Sequence, residues 1–143
     1  MQELVDCIFC RIVQKESRAS EVYSDETVLA FMDIQPTNAG HIPVIPRRHY
    51  SNLAELDEAG AQMFKVAMRV AKGLKRSGLK CEGVNLHLAD GEVVGQDVFH
   101  VHLHVIPRFK GDGLGIKFGQ HYGFRPDRKE LDADALRIKS AMS

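Results

Sequence analysis

His100-Val101-His102-Leu103-His104 sets three imidazoles at alternate positions, directly after Gly95-Gln96-Asp97-Val98-Phe99. In an extended chain successive side chains point to opposite faces, so the three histidines share one face while Val101, Leu103 and Val105 occupy the other. The aliphatic face predicts a core and the histidine face predicts chemistry. Two chemical uses fit the spacing: convergence on one metal ion, or alignment along an anionic substrate. The plain alternative is a half-buried strand whose polar face happens to be histidine, although three imidazoles would then each need a partner or water.

Working outward, alternating apolar stretches and turn residues predict strands near 20–24, 28–33, 41–46, 82–89 and 99–107. Gln35-Pro36-Thr37-Asn38-Ala39-Gly40 and Asp90-Gly91-Glu92-Val93-Val94-Gly95 are the loops before the third and last of these. Ile8, Phe9, Ile12 and Val13 predict a short helix over 7–15. A long amphipathic helix is expected over 57–77, where Ala61, Phe64, Ala67, Met68, Ala71 and Leu74 recur at threes and fours before Gly78. A final helix is expected over 131–142. These elements predict an α+β fold and a single domain over 1–143, with a motif-bearing core at about 4–109 and a tail at 110–143.

Composition narrows the partners. The 143 residues are 44% hydrophobic, enough for one globular core. Nineteen basic and nineteen acidic residues cancel, which argues against nucleic acid or an anionic membrane as the main partner and favours a small molecule. Met1-Gln2-Glu3-Leu4-Val5-Asp6 lacks a basic segment followed by an apolar one, so a cytoplasmic location is expected. Three cysteines suit a reducing compartment, and Cys81 reads as an ordinary small apolar residue. Cys7-Ile8-Phe9-Cys10 has the spacing of half a tetrahedral zinc site, with a redox pair or two buried thiols as the competing readings.

The chain resembles the histidine triad (HIT) family. The resemblance rests on His100-Val101-His102-Leu103-His104-Val105-Ile106, and upstream on Asp33-Ile34-Gln35-Pro36 and Gly40-His41-Ile42-Pro43-Val44-Ile45-Pro46, which runs into Arg47-Arg48-His49. It implies a sheet of about five antiparallel strands with a short N-terminal helix and one long helix, assembled as a homodimer. It also implies cleavage at the α-phosphate of a purine nucleotide with release of AMP. In that pattern His102 is the nucleophile and forms a nucleotidyl-histidine, while His104, His41 and Gln96 donate hydrogen bonds around the phosphate. Asp33 accepts from the ribose hydroxyls, Ile8, Phe9, Ile12 and Phe31 line the base slot, and the backbone near Asp97 and Val98 adds donors.

By resemblance to bacterial members with the same cysteine pair, Cys7, Cys10, His49 and His100 form a structural Zn2+ site, and no organic cofactor is expected. His100 then goes to zinc, His102 to phosphorus and His104 to phosphate oxygens. The chain departs from the pattern at Asp97, where better-known eukaryotic members carry serine or threonine, and at Ala89, where many carry asparagine. Val105-Ile106-Pro107-Arg108 is nearer the dinucleoside-polyphosphate branch than the phosphoramidase branch. His87 and His121 read as surface or lining residues, and Arg47-Arg48 as a pair that steers anions or a solvated strand end. The readings set against a hydrolase are a nucleotide-binding regulator with little turnover, and a zinc enzyme that uses the histidine strand itself as its metal site.

Overall fold

The computed structural model describes residues 6–142, so readings that rest on residues 1–5 lie outside it. Five strands, β1 Glu21–Ser24, β2 Val28–Phe31, β3 Ile42–Pro46, β4 Gly83–His87 and β5 Leu103–Arg108, form one antiparallel sheet in the order β1-β2-β3-β5-β4. Three helices accompany it: α1 Ile8–Val13, α2 Ala59–Arg76 and α3 Arg128–Ala141. The α+β class and the five-stranded antiparallel sheet are as the sequence predicts. One compact unit ends at Asp112 and a second begins at Gly113.

The sheet is buried where it must be. Val28, Ala30, Ile42, Val44, Val101 and Val105 pack against Met63, Val66, Ala67, Val70 and Leu74 of α2. Leu29, Phe31 and Ile45 point the other way, against Phe9, Ile12 and Val13 of α1. Alternation along β2 and β3 therefore serves two cores, one beneath each helix. At Gly40, φ is +100°, and an added Cβ would lie 3.1 Å from Leu74 and 3.3 Å from Pro107, so the turn into β3 admits only glycine.

Two expectations need correction. The last strand starts at Leu103, not at 99, because His100–His102 lies beyond the β3 ladder. β3 ends at Pro46, whose carbonyl is taken by the His100 side chain, and the Val101 amide bonds instead to Tyr50 O. The predicted division of faces survives without the ladder: Val101 and Val105 lie in the α2 core, and the rings of His100 and His102 both meet Phe9 of α1. The buried stripe of α2 is also different. Ala59, Met63, Val66, Ala67, Val70 and Leu74 face the sheet, leaving Phe64 50% and Met68 46% exposed. Two apolar stripes overlap on this helix, and periodicity alone does not choose between them.

Candidate active site and metal centre

Three hydrogen bonds to backbone and one between side chains determine which nitrogen of each imidazole carries its proton. His102 Nδ1 is 2.8 Å from His100 O. A carbonyl only accepts, so the proton sits on Nδ1 and the lone pair lies on Nε2. The Thr37 amide donates to His41 Nδ1 at 3.0 Å, which leaves the His41 proton on Nε2. His41 Nε2 lies 2.8 Å from His104 Nδ1 and donates to it, so His104 carries its own proton on Nε2. His100 Nε2 is 2.8 Å from Pro46 O, so its Nδ1 lone pair is free.

Burial favours the neutral form of His41, His100 and His104. It lowers His104 to about 4, helped by the imidazoles of His102, His41 and His87 and opposed by Asp33. His41 is lowered by burial against the pull of the Asp33 carboxylate. His100 falls to about 4 by burial, against the effect of its bond to Pro46 O.

His102 and His104 open into a cavity of about 260 Å³. Ile8, Phe9, Ile12, Phe31, Asp33, Asp97 and Val98, the residues expected to hold the nucleoside and its phosphate, all line it. Phe9 meets Phe31 and His102 edge to face, at centroid distances of 5.7 Å and 5.1 Å. Asp33 Oδ1 accepts from the Gln35 amide, and Asp33 Oδ2 lies 3.6 Å from His41 Nε2.

Gln96 is placed differently from its expected role as a phosphate donor. It is buried, its two N–H groups donate to Ser51 O and Val98 O, and Oε1 accepts from the Gly91 amide. It braces the loop that carries Asp97 and Val98. Gly95 just before it has φ +91°, which lets the chain turn there.

The four residues expected to bind metal converge as well. Ligand atoms of Cys7, Cys10, His49 and His100 all lie within 4.8 Å of one another. Cys7 Sγ is 3.4 Å from His100 Nδ1, and Cys10 Sγ is 3.3 Å from His49 Nδ1 and 3.6 Å from His100 Nδ1. Zinc bond lengths at tetrahedral angles put sulfur and nitrogen ligands about 3.6 Å apart, so the donor set and its dimensions fit zinc. Pro46 O orients His100 and Ser51 Oγ, 3.3 Å from His49 Nε2, flanks His49, as outer partners of metal ligands do. Burial, with the neighbouring Cys7, pushes the Cys10 thiol up to about 12. A bound cation would oppose that rise.

A second cluster of Asp33, His41 and His104 also lies within 4.8 Å, but the His41–His104 hydrogen bond occupies the facing nitrogens. Among the described residues, no cluster capable of holding a metal takes in all three triad histidines.

Sequence reasoning did not single out Arg18, which lines the cavity beside His102 and His104 from a turn with no distinguishing pattern. Nor did it find the Thr37 amide or Pro46 carbonyl, which carry no side-chain signal. His87 stands opposite His104 in the β4–β5 register, with ring centroids 5.9 Å apart. Arg47 is drawn to Asp25 O and Ser24 Oγ, and Arg48 lies over the Tyr50 ring, 5.6 Å from its centroid; neither lines the cavity beside His102.

The sequence matches the family model of the HIT domain over residues 14–111. An uncharacterized HIT-like protein of Borreliella burgdorferi is 43% identical over 131 residues, covering 90% of this chain and 94% of that protein. Adenylylsulfatase HINT3 of Arabidopsis thaliana is 35% identical over 139 residues, covering 96% of this chain and 68% of that protein. The crystal structure of a HIT family protein from Bacillus anthracis superposes with a TM-score of 0.87 at 36% identity, covering 95% of this chain and 96% of that one. A Zn-bound histidine triad family protein from Mycobacterium smegmatis gives 0.76 at 38% identity, covering 96% and 99%.

Proposed function

This chain belongs to the HIT domain family, and from that premise we propose that it is a nucleotide hydrolase cleaving adenosine phosphoramidates or dinucleoside polyphosphates at the α-phosphate to release AMP. One observation carries the reading: the backbone leaves His102 with a bare Nε2 lone pair in the nucleotide cavity, beside a His104 whose Nε2–H is free to donate.

In the first step the Nε2 lone pair forms a bond to phosphorus while the bond to the leaving group breaks. The leaving group departs with that electron pair and takes a proton from water. His104 Nε2–H, polarised through His41 and the Thr37 amide, donates to a phosphoryl oxygen as charge builds there. Water then attacks the nucleotidyl-histidine, the N–P bond breaks, its electrons return to Nε2, and the water proton is released with AMP. Asp33 holds the ribose, the Phe9 and Phe31 rings hold the base, and Gln96 acts as a positioning residue for the Asp97-Val98 backbone.

Cys7, Cys10, His49 and His100 would hold a structural zinc ion, which supplies a rigid tie between chain segments and no chemistry at phosphorus. The functional form is a homodimer in the cytoplasm.

The test is incubation with adenosine 5′-phosphoramidate and with diadenosine tetraphosphate, wild type beside His102→Ala, with mass spectrometry of products and intact protein. AMP from the wild type and an adenylylated intermediate are expected. The variant should lose on the order of 10⁴-fold in rate or more. Nucleotide binding without AMP release would make the protein a binding module instead.

A further inference from the structure

Beside the nucleotide cavity lies a second cavity of about 440 Å³, lined by Asp6, Cys7, Ile8, His49, Ser51, Asp97, Val98 and Phe99. Ile8, Asp97 and Val98 line both, so these three form the sill between them. Asp97 stands on that sill with its side chain 85% exposed and Oδ1 3.8 Å from His102 Nε2, the atom proposed to attack phosphorus. Once phosphorus is bonded to Nε2, the group opposite it lies at a similar reach, because in-line displacement sets the attacking and leaving atoms on either side of phosphorus. A leaving group displaced toward the second cavity would pass Asp97 on its way out.

The charges beyond the sill are of one sign. Among the described residues, Asp6 and Asp97 line the second cavity and no lysine or arginine does. Arg18 lines only the nucleotide cavity, and Arg47 and Arg48 line neither. A polyphosphate leaving group would bring several negative charges against these carboxylates with no cation to meet them. An amine brings none, or a positive one.

Resting on the hydrolase reading, we propose that Asp97 is a specificity-determining residue that, with Asp6, makes the exit side anionic and selects nucleotides whose leaving group is a neutral or cationic amine over those whose leaving group is polyanionic. This runs against the polyphosphate leaning of Val105-Ile106-Pro107-Arg108, whose pyrrolidine and guanidinium lie elsewhere: Pro107 is buried, and Arg108 is paired with Asp112 at 2.7 Å.

The test holds the scissile bond constant and changes only the charge that leaves. Adenosine 5′-phosphoramidates of benzylamine and of glutamate both break a P–N bond, but the second departs with two carboxylates. The ratio of their kcat/KM values is measured for wild type, Asp97→Asn and Asp97→Glu at low and high salt. Wild type should favour the benzylamine adduct. Asp97→Asn should cut that preference about tenfold, the size of one charge pair near 4 Å partly shielded from water, and Asp97→Glu should keep it. Salt should shrink the difference between wild type and Asp97→Asn.

A preference unchanged in Asp97→Asn, or no preference in the wild type, overturns the charge filter while leaving the hydrolase intact. Absence of AMP from both substrates overturns the filter, and the hydrolase reading falls with it only when diadenosine tetraphosphate also yields no AMP.

Discussion

Three histidines of the site, His102, His100 and His41, have their free nitrogen chosen by a backbone group that offers no alternative. Carbonyls of His100 and Pro46 can only accept, and the Thr37 amide can only donate, so His102 presents a lone pair, His100 another, and His104, through His41, a proton, which are the atoms that the proposed chemistry at phosphorus and metal would use. The cost is burial of groups that would otherwise take up protons, and it fixes a pH response. His104 titrates at about 4 in the folded protein and His41 is lowered too, whereas in the unfolded chain both titrate near about 6.5. Between those values the unfolded chain binds more protons than the native one, so stability rises with pH across the window and is lost as pH falls from about 6.5 toward about 4. Scanning calorimetry from about pH 7 to about pH 5 should show Tm falling steadily, with a shallower slope in His104→Gln, which has no titrating ring. An equal slope in the variant would mean that other groups carry the acid sensitivity.

At the scale of elements, α1 is six residues long and too short to persist alone, yet with its N-cap Cys7 it carries both thiols of the proposed metal set, and three of its side chains line the cavity beside His102. Phe9 sits between the two sites, touching the rings of His100 on one side and His102 on the other. Zinc is thus expected to hold α1 in place, and through Phe9 the slot beside His102. Cys7→Ala should lose zinc, measured by plasma emission, and drop Tm on the order of 10 °C or more, because structural zinc contributes folding energy directly. Asp33→Ala removes one turn hydrogen bond, to the Gln35 amide, and should cost only a few degrees while keeping its zinc. Equal zinc and equal Tm in both variants would count against the metal site. Chelation of the wild type should also weaken AMP binding by calorimetric titration, and unchanged binding would show that α1 needs no metal to form the slot.

At the scale of the whole molecule, what the sequence disclosed follows from where its information is stored. The sheet was legible because β2, β3 and β5 are dense in aliphatics between turn residues, and the site was legible because its side chains come as short motifs, Cys-x-x-Cys and His-x-His-x-His. Hidden were the parts written in backbone: the Thr37 amide, the Pro46 carbonyl and the loop bonds that consume Gln96. The start of α3 was legible and missed, since Asp127 and Glu130 form a capping box that carries the helix back to Arg128, three residues before the predicted start.

The overlapping stripes of α2 were ambiguous for a reason with a consequence. Phe64 and Met68 are four apart, so both lie on one solvent-facing side, and β4 closes the sheet with an open edge bearing Leu86, 39% exposed. An exposed apolar stripe on a helix and an unpaired strand edge are each surfaces that a two-fold partner would cover, since a C2 interface needs a patch that matches itself. Light scattering after size exclusion should therefore give twice the 16.0 kDa chain mass, and Phe64→Glu with Met68→Glu should give the single mass with the zinc content retained. A wild type that runs at the single mass at every concentration would rule out the homodimer. A dimer that survives both glutamates would move the interface away from this face of α2.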